Sequence, residues 1–147
     1  MKKIALYTLL ALSLASCKME EKKAQPTLMK EVMQVHDAVM PKMGTIGKLV
    51  KVLNEKKDSL LLLNNHSLMD QRIKDYSTGV DSLQKAHKKM MTWMKDFGAH
   101  FTADEILKGK ALSLEKQRIL EEQAIKVKEM ESAILGSIEY AKRLSIE

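Results

Sequence analysis

Met69, Ile73, Tyr76, Val80, Leu83, His87, Met90, Met94 and Phe97 recur at alternating spacings of four and three. That repeat puts all of them on one side of a helix. A strand would alternate at every second residue, and a membrane-spanning helix would need ~20 apolar residues in succession. This stretch shows neither pattern. The stripe runs for four heptads, close to a coiled-coil seam, and His87 is its only strongly polar member.

Two more stripes flank it. Val32, His36, Val39, Met43, Ile46, Val50, Leu53 and Leu60 mark a helix over residues 27–63, with Thr27 placed as its N-cap. Leu120, Ala124, Val127, Met130, Ile134, Ser137 or Ile138, Ala141 and Leu144 mark a third helix that begins near Ser113. Asn64, Asn65, His66 and Ser67 form the first turn signal. Gly98 is placed to end the second helix, and residues 98–112 read as a longer connection. Within it, Thr102-Ala103-Asp104-Glu105 can open a single helical turn. His66 and His100 fall in the two connectors and are expected to be exposed.

Each helix of ~30–36 residues would be roughly 45–55 Å long. The expected fold is therefore all-α: an antiparallel up-down-up bundle of three long helices over residues 27–147. Pro41 has no N–H and its ring meets the carbonyl of Asp37, so a kink or a helix restart is expected there. A break near residues 54–58 would give a four-helix bundle instead.

Composition agrees. Charged residues make up 30% and aromatics 4%, with eleven Met and two Pro, which favours helices over strands. The formal charge is +6; setting aside Lys2 and Lys3 leaves 23 basic residues against 19 acidic ones, or +4. The two signs are interspersed and there is no arginine-rich stripe. Nucleic acid is therefore not an expected partner.

Residues 1–16 read as a bacterial lipoprotein signal peptide. Lys2 and Lys3 precede an apolar run from Ile4 to Ala15, which is too short to span a bilayer. The run ends in Leu14-Ala15-Ser16-Cys17, which resembles a lipobox. That resemblance implies acylation (palmitate among the chains) of Cys17 and cleavage just before it. Several acyl chains anchor a protein firmly, at ~0.8 kcal/mol per buried CH₂. Residues 17–26 then form the lipidated Cys and a charged tether ending at Pro26. Lys18-Met19-Glu20-Glu21 is similar to the lysine-plus-acidic export tag of Bacteroidota surface lipoproteins. The expected location is the cell envelope, at the outer membrane, on either its periplasmic or its surface face.

Two clusters carry the remaining chemistry. His36, Met40 and Met43 share one face of the first helix, and His87, Met90 and Met94 share one face of the second. In an antiparallel hairpin, position i lies opposite roughly 130 − i. His36 then faces Met94, Met40 faces Met90 and Met43 faces His87, with Trp93 on the flank. Thioether and imidazole ligands suit Cu(I), and the ligand types resemble those of periplasmic copper chaperones. Zinc is disfavoured because thioethers bind it poorly. Haem is disfavoured by the small number of aromatics. The competing reading is a core in which Met fills volume that aromatics would otherwise occupy.

The lipobox, the run Val35-His36-Asp37-Ala38-Val39-Met40-Pro41-Lys42-Met43-Gly44 and the run Met90-Met91-Thr92-Trp93-Met94-Lys95-Asp96-Phe97 together resemble a group of small Bacteroidota lipoproteins. The resemblance implies that the two clusters work as one unit and says nothing about a ligand. No Ser-His-Asp, Cys-His, paired-carboxylate or phosphate-loop arrangement is present. The expected function is thus a non-enzymatic, lipid-anchored structural or adaptor module, with the membrane and another envelope protein as partners and no cofactor. The alternative is a Cu(I)-binding or buffering lipoprotein.

Overall fold

The computed structural model of the protein describes residues 27–63 and 68–146. The leader, Cys17, the tether and the turn at 64–67 with His66 lie outside the described residues. The elements are α1 (Leu28–Val39), α2 (Lys42–Leu62), α3 (Leu68–His100), α4 (Ala103–Leu107) and α5 (Leu114–Ile146). There is no strand among the described residues. The protein is an all-α helical bundle, as its periodicity predicts.

Each helix start has a local cause. The Thr27 side chain accepts from the Lys30 N–H at 3.4 Å, and Glu31 lies in the first turn, where the helix dipole favours an anion. Pro41 divides the first arm. The Met40 N–H still donates to the His36 carbonyl at 2.8 Å, and the Met43 N–H donates to the Met40 carbonyl at 3.1 Å. Pro41 itself sits at φ −62°, ψ −20°, close to helical values. The chain therefore restarts in nearly the same direction instead of reversing.

The four-helix alternative is corrected, because α2 runs through residues 54–58 without a break. Three features carry it across. Leu53 is fully buried, Lys57 donates to the Asn54 side chain at 3.0 Å, and Lys51 pairs with Glu55 one turn on. A second correction concerns Gly98, which does not end α3. The helix continues to His100, and the Phe101 N–H donates to the Phe97 carbonyl at 3.2 Å. Phe97 and Phe101 are both buried with ring centroids 4.8 Å apart, and that packing holds the helix across the glycine. His100 consequently closes α3, half-buried and edge-on to Phe101, and does not sit in a connector.

The helices run antiparallel. Leu53 on α2 meets Gly79 on α3, and His36 on α1 meets Trp93 on α3. Both pairs lie close to the register in which i faces about 130 − i. On the other side of α3, Lys89 pairs with Glu129 and Asp96 with Gln123 and Lys126 of α5. The starts of α1 and α5 and the end of α3 therefore share one end of the bundle. At ~1.5 Å per residue, the 33 residues of α3 place the other end roughly 50 Å away.

The core draws on all three long arms. Val32, Val39, Leu53, Leu83, Met90, Val127, Met130 and Ile134 are almost completely sealed. At Gly79, α2, α3 and α5 converge. A Cβ there would lie 2.8 Å from Leu53 Cδ1 and 2.9 Å from Leu144 Cδ1. Only a residue without a side chain fits that approach unchanged.

Candidate functional site

The buried face of α3 differs from its expected stripe by one residue over two turns. Ala86 and Trp93 are buried, whereas His87 is exposed and Met94 only partly covered. An unpartnered imidazole is costly to bury, whereas Ala86 and the indole of Trp93 bring apolar area into the core. The interior positions of this part of α3 are therefore Leu83, Ala86, Met90, Trp93 and Phe97.

This rotation rearranges the six-residue His/Met set. Met90 is fully buried, while Met40 is 43% exposed at the end of α1. Met43 and Met94 are half-buried against the core. His87 is exposed, so it does not meet Met43 as expected. The six thus range from a sealed core position to open surface. Among the described residues, no group of three or more His, Cys, Asp or Glu is arranged to hold a metal ion.

His36 meets Trp93 instead. Their rings stack at 5.4 Å between centroids with 25° between planes. Trp93 stacks in turn on Phe97 at 4.8 Å, and Phe97 packs on Phe101. The result is a four-ring ladder across the end of the bundle where α1 begins. Its sequence signal is the i, i+4, i+8 spacing of Trp93, Phe97 and Phe101, which the heptad stripe obscured because it includes Phe97 alone. His36 Nδ1 lies 2.9 Å from an Asp37 carboxylate oxygen. The carboxylate can only accept, so Nδ1 carries the proton and, in the neutral ring, Nε2 is left as an acceptor. Nε2 is buried without a partner, as are Trp93 Nε1 and Gln123 Oε1.

Two polar networks brace the ladder. Asp96, one turn beyond Trp93, accepts from Gln123 Nε2 at 2.7 Å and from Lys126 Nζ at 3.1 Å, and pairs loosely with His100 at 3.6 Å. The bond from Gln123, followed by that from Lys126, holds the Asp96 carboxyl below the usual carboxylate range despite some opposing desolvation. Gln123 is, with Ser137, a polar member of the α5 seam, and it stands where the stripe had placed Ala124. The cross-helix bond to Asp96 explains why an amide can lie inside.

The second network closes the connection between α3 and α5. Thr102 and Glu105 form a capping box, and Lys116 Nζ contacts both Glu105 oxygens at 2.7 and 2.8 Å. The expected single helical turn is therefore present as α4. Gly109, at φ +66°, turns the chain out of it toward α5. Hydrogen bonding from Lys116, then from the Thr102 backbone, holds the Glu105 carboxyl down to about 2 against an ordinary 4.5. A carboxyl with a depressed folded-state value stabilises the fold above its unfolded value and loses that contribution as pH falls through the folded one. The Glu105→Gln variant should therefore be less stable than the native chain at pH 6. The gap in urea midpoint should shrink between pH 4.5 and about 2. A gap that is constant over that range would show that the ion pair does not contribute.

No family model, no curated protein and no solved structure matches this chain.

Proposed function

We propose that this protein is a lipid-anchored, non-enzymatic adaptor of the bacterial cell envelope, held at the outer membrane through Cys17. One observation carries the adaptor reading. Among the described residues, the end of α2, far from the start of α1, is apolar and exposed. Leu61, Leu62 and Leu63 close α2 in the open, with Leu62 85% exposed. Single exposed apolar residues are ordinary, but a run of three exposed leucines in succession at a helix end is apolar surface of the kind that proteins use for docking. An anchor that enters at α1 would hold this tip roughly 50 Å from the lipid, given the length of α3. Among the described residues, no helix is long and apolar enough to cross a membrane. Attachment through the Cys17 lipid supplies the membrane contact in this reading, and a second envelope protein with an apolar face occupies the tip.

The Cu(I) reading in its six-ligand form is not the one we propose. It needs His87 and Met40 to share a site with Met90, and the first two face solvent while the third is sealed.

The test is made in cells. Labelling with an alkynyl palmitate analogue should mark the native chain and not the Cys17→Ser variant, which should leave the membrane fraction. A photo-crosslinking residue at Leu62 should give a discrete adduct that is absent when it is placed at exposed Lys85 and lost when Leu61 and Leu63 become Ser. Membrane association that survives Cys17→Ser would overturn the anchor. Identical adducts from Leu62 and Lys85 would overturn the docking tip.

A further inference from the structure

A groove of about 310 Å³ lies between α3 and α5, lined by Lys88, Lys89, Thr92, Trp93, Asp96, Lys126 and Glu129. Its size is at the lower end of the ~300–1,000 Å³ typical of small-molecule clefts. The groove lies away from the exposed tip and uses none of its leucines.

Its charges do not balance. Lys126 is taken by Asp96 at 3.1 Å, and Lys89 reaches Glu129 only at 3.7 Å. Lys88 has no ion-pair partner among the described residues. Three ammonium groups against two carboxylates leave one positive charge unmatched on the rim. Trp93, which contributes to the lining, is only 5% exposed, and its indole N–H is buried without an acceptor. The Thr92 methyl, the indole and the lysine stems give the walls an apolar character below the charged rim.

We propose that this groove binds a small amphipathic monoanion: an apolar chain or ring lying in the groove against the edge of Trp93 that lines it, with a carboxylate or similar head held by Lys88, Lys89 and Lys126. One unmatched cation calls for one negative charge. The apolar walls give a bare inorganic anion nothing to bury against. Glu129 and Asp96 stay with their lysines and set the position of the head.

Trp93 is the only tryptophan in the chain, so its fluorescence reports on the groove directly. Every residue of the core described above lies between Met29 and Leu144, so a chain of residues 17–147 carrying Cys17→Ser keeps the whole bundle while lacking acyl chains that would compete. Titrating it with dodecanoate, below its micelle concentration, should shift the emission saturably with one-to-one stoichiometry. Dodecanol and inorganic phosphate should bind at least tenfold more weakly, because each lacks one half of the recognised chemistry. Lys88→Glu, at an exposed position that leaves the fold intact by circular dichroism, should weaken dodecanoate at least fivefold. No saturable shift with dodecanoate, equal binding of dodecanol, or unchanged affinity in Lys88→Glu would each overturn the proposal.

Discussion

Replacing Trp93 by alanine is expected to destabilise the bundle by about 3–5 kcal/mol, a fall in Tm of roughly 10–20 °C for a domain of this size. The side chain is almost completely buried and is an inner ring of the ladder, with His36 on one side and Phe97 on the other. Its removal deletes a large apolar surface and both ring contacts at once. The α1 arm is the part most affected, since His36 is its ring contact with α3. Trp93→Phe should cost less than about 1.5 kcal/mol, because a ring remains to stack and a buried N–H without an acceptor disappears. Urea unfolding followed by far-ultraviolet circular dichroism measures both variants. A loss below about 1 kcal/mol for the alanine variant would mean that the ladder is not part of the cooperative core.

The second large effect is expected where α2, α3 and α5 converge. Leu53→Ala should destabilise by about 2–5 kcal/mol, since Leu53 is sealed and its Cδ1 fills the space over Gly79. Gly79→Ala alone sets a gain of about 1 kcal/mol in helix propensity against about 1–3 kcal/mol of overpacking. It should come out destabilising by about 1 kcal/mol, because its Cβ would press on two leucine termini at once. In the Leu53→Ala background one of those termini is gone. There Gly79→Ala should be neutral or stabilising, giving a coupling of about 1–2 kcal/mol in a double-mutant cycle. Strict additivity of the two changes would show that Leu53 and Gly79 do not share the contact.

Much of this architecture was legible in the chain. The 3,4 stripe of α5 named its core correctly from Leu120 through Leu144, apart from the exchange of Ala124 for Gln123. The Thr27 cap, the restart at Pro41 and the Thr102–Glu105 turn rest on interactions within four residues, so local sequence suffices to find them. The hairpin register was also close, because so few residues separate the end of α2 at Leu62 from the start of α3 at Leu68 that two long helices have little freedom in how they align. The candidate site was not legible to the same degree. His87 and Trp93 lie on neighbouring faces of α3, and a heptad pattern drawn for a two-helix seam assigned the wrong one to the interior. With α2 on one side of α3 and α5 on the other, the buried arc is wider than such a seam, and the residues that fill it best occupy its centre.

The sequence by itself determined where the helices lie, the Thr27 and Thr102 caps and the apolar stripes that drive them together. These follow from backbone propensity and from a periodicity that every helix imposes on its own side chains. Tertiary structure alone decided how far each helix turns about its axis. That rotation stacked Trp93 on His36, turned His87 outward, sealed Met90 and joined Asp96 to Gln123 and Lys126. The physical reason is that one residue corresponds to about 100° of rotation about a helix axis. A shift that small leaves the stripe recognisable, yet it exchanges which side chains meet, and only packing against two neighbours at once selects among the choices.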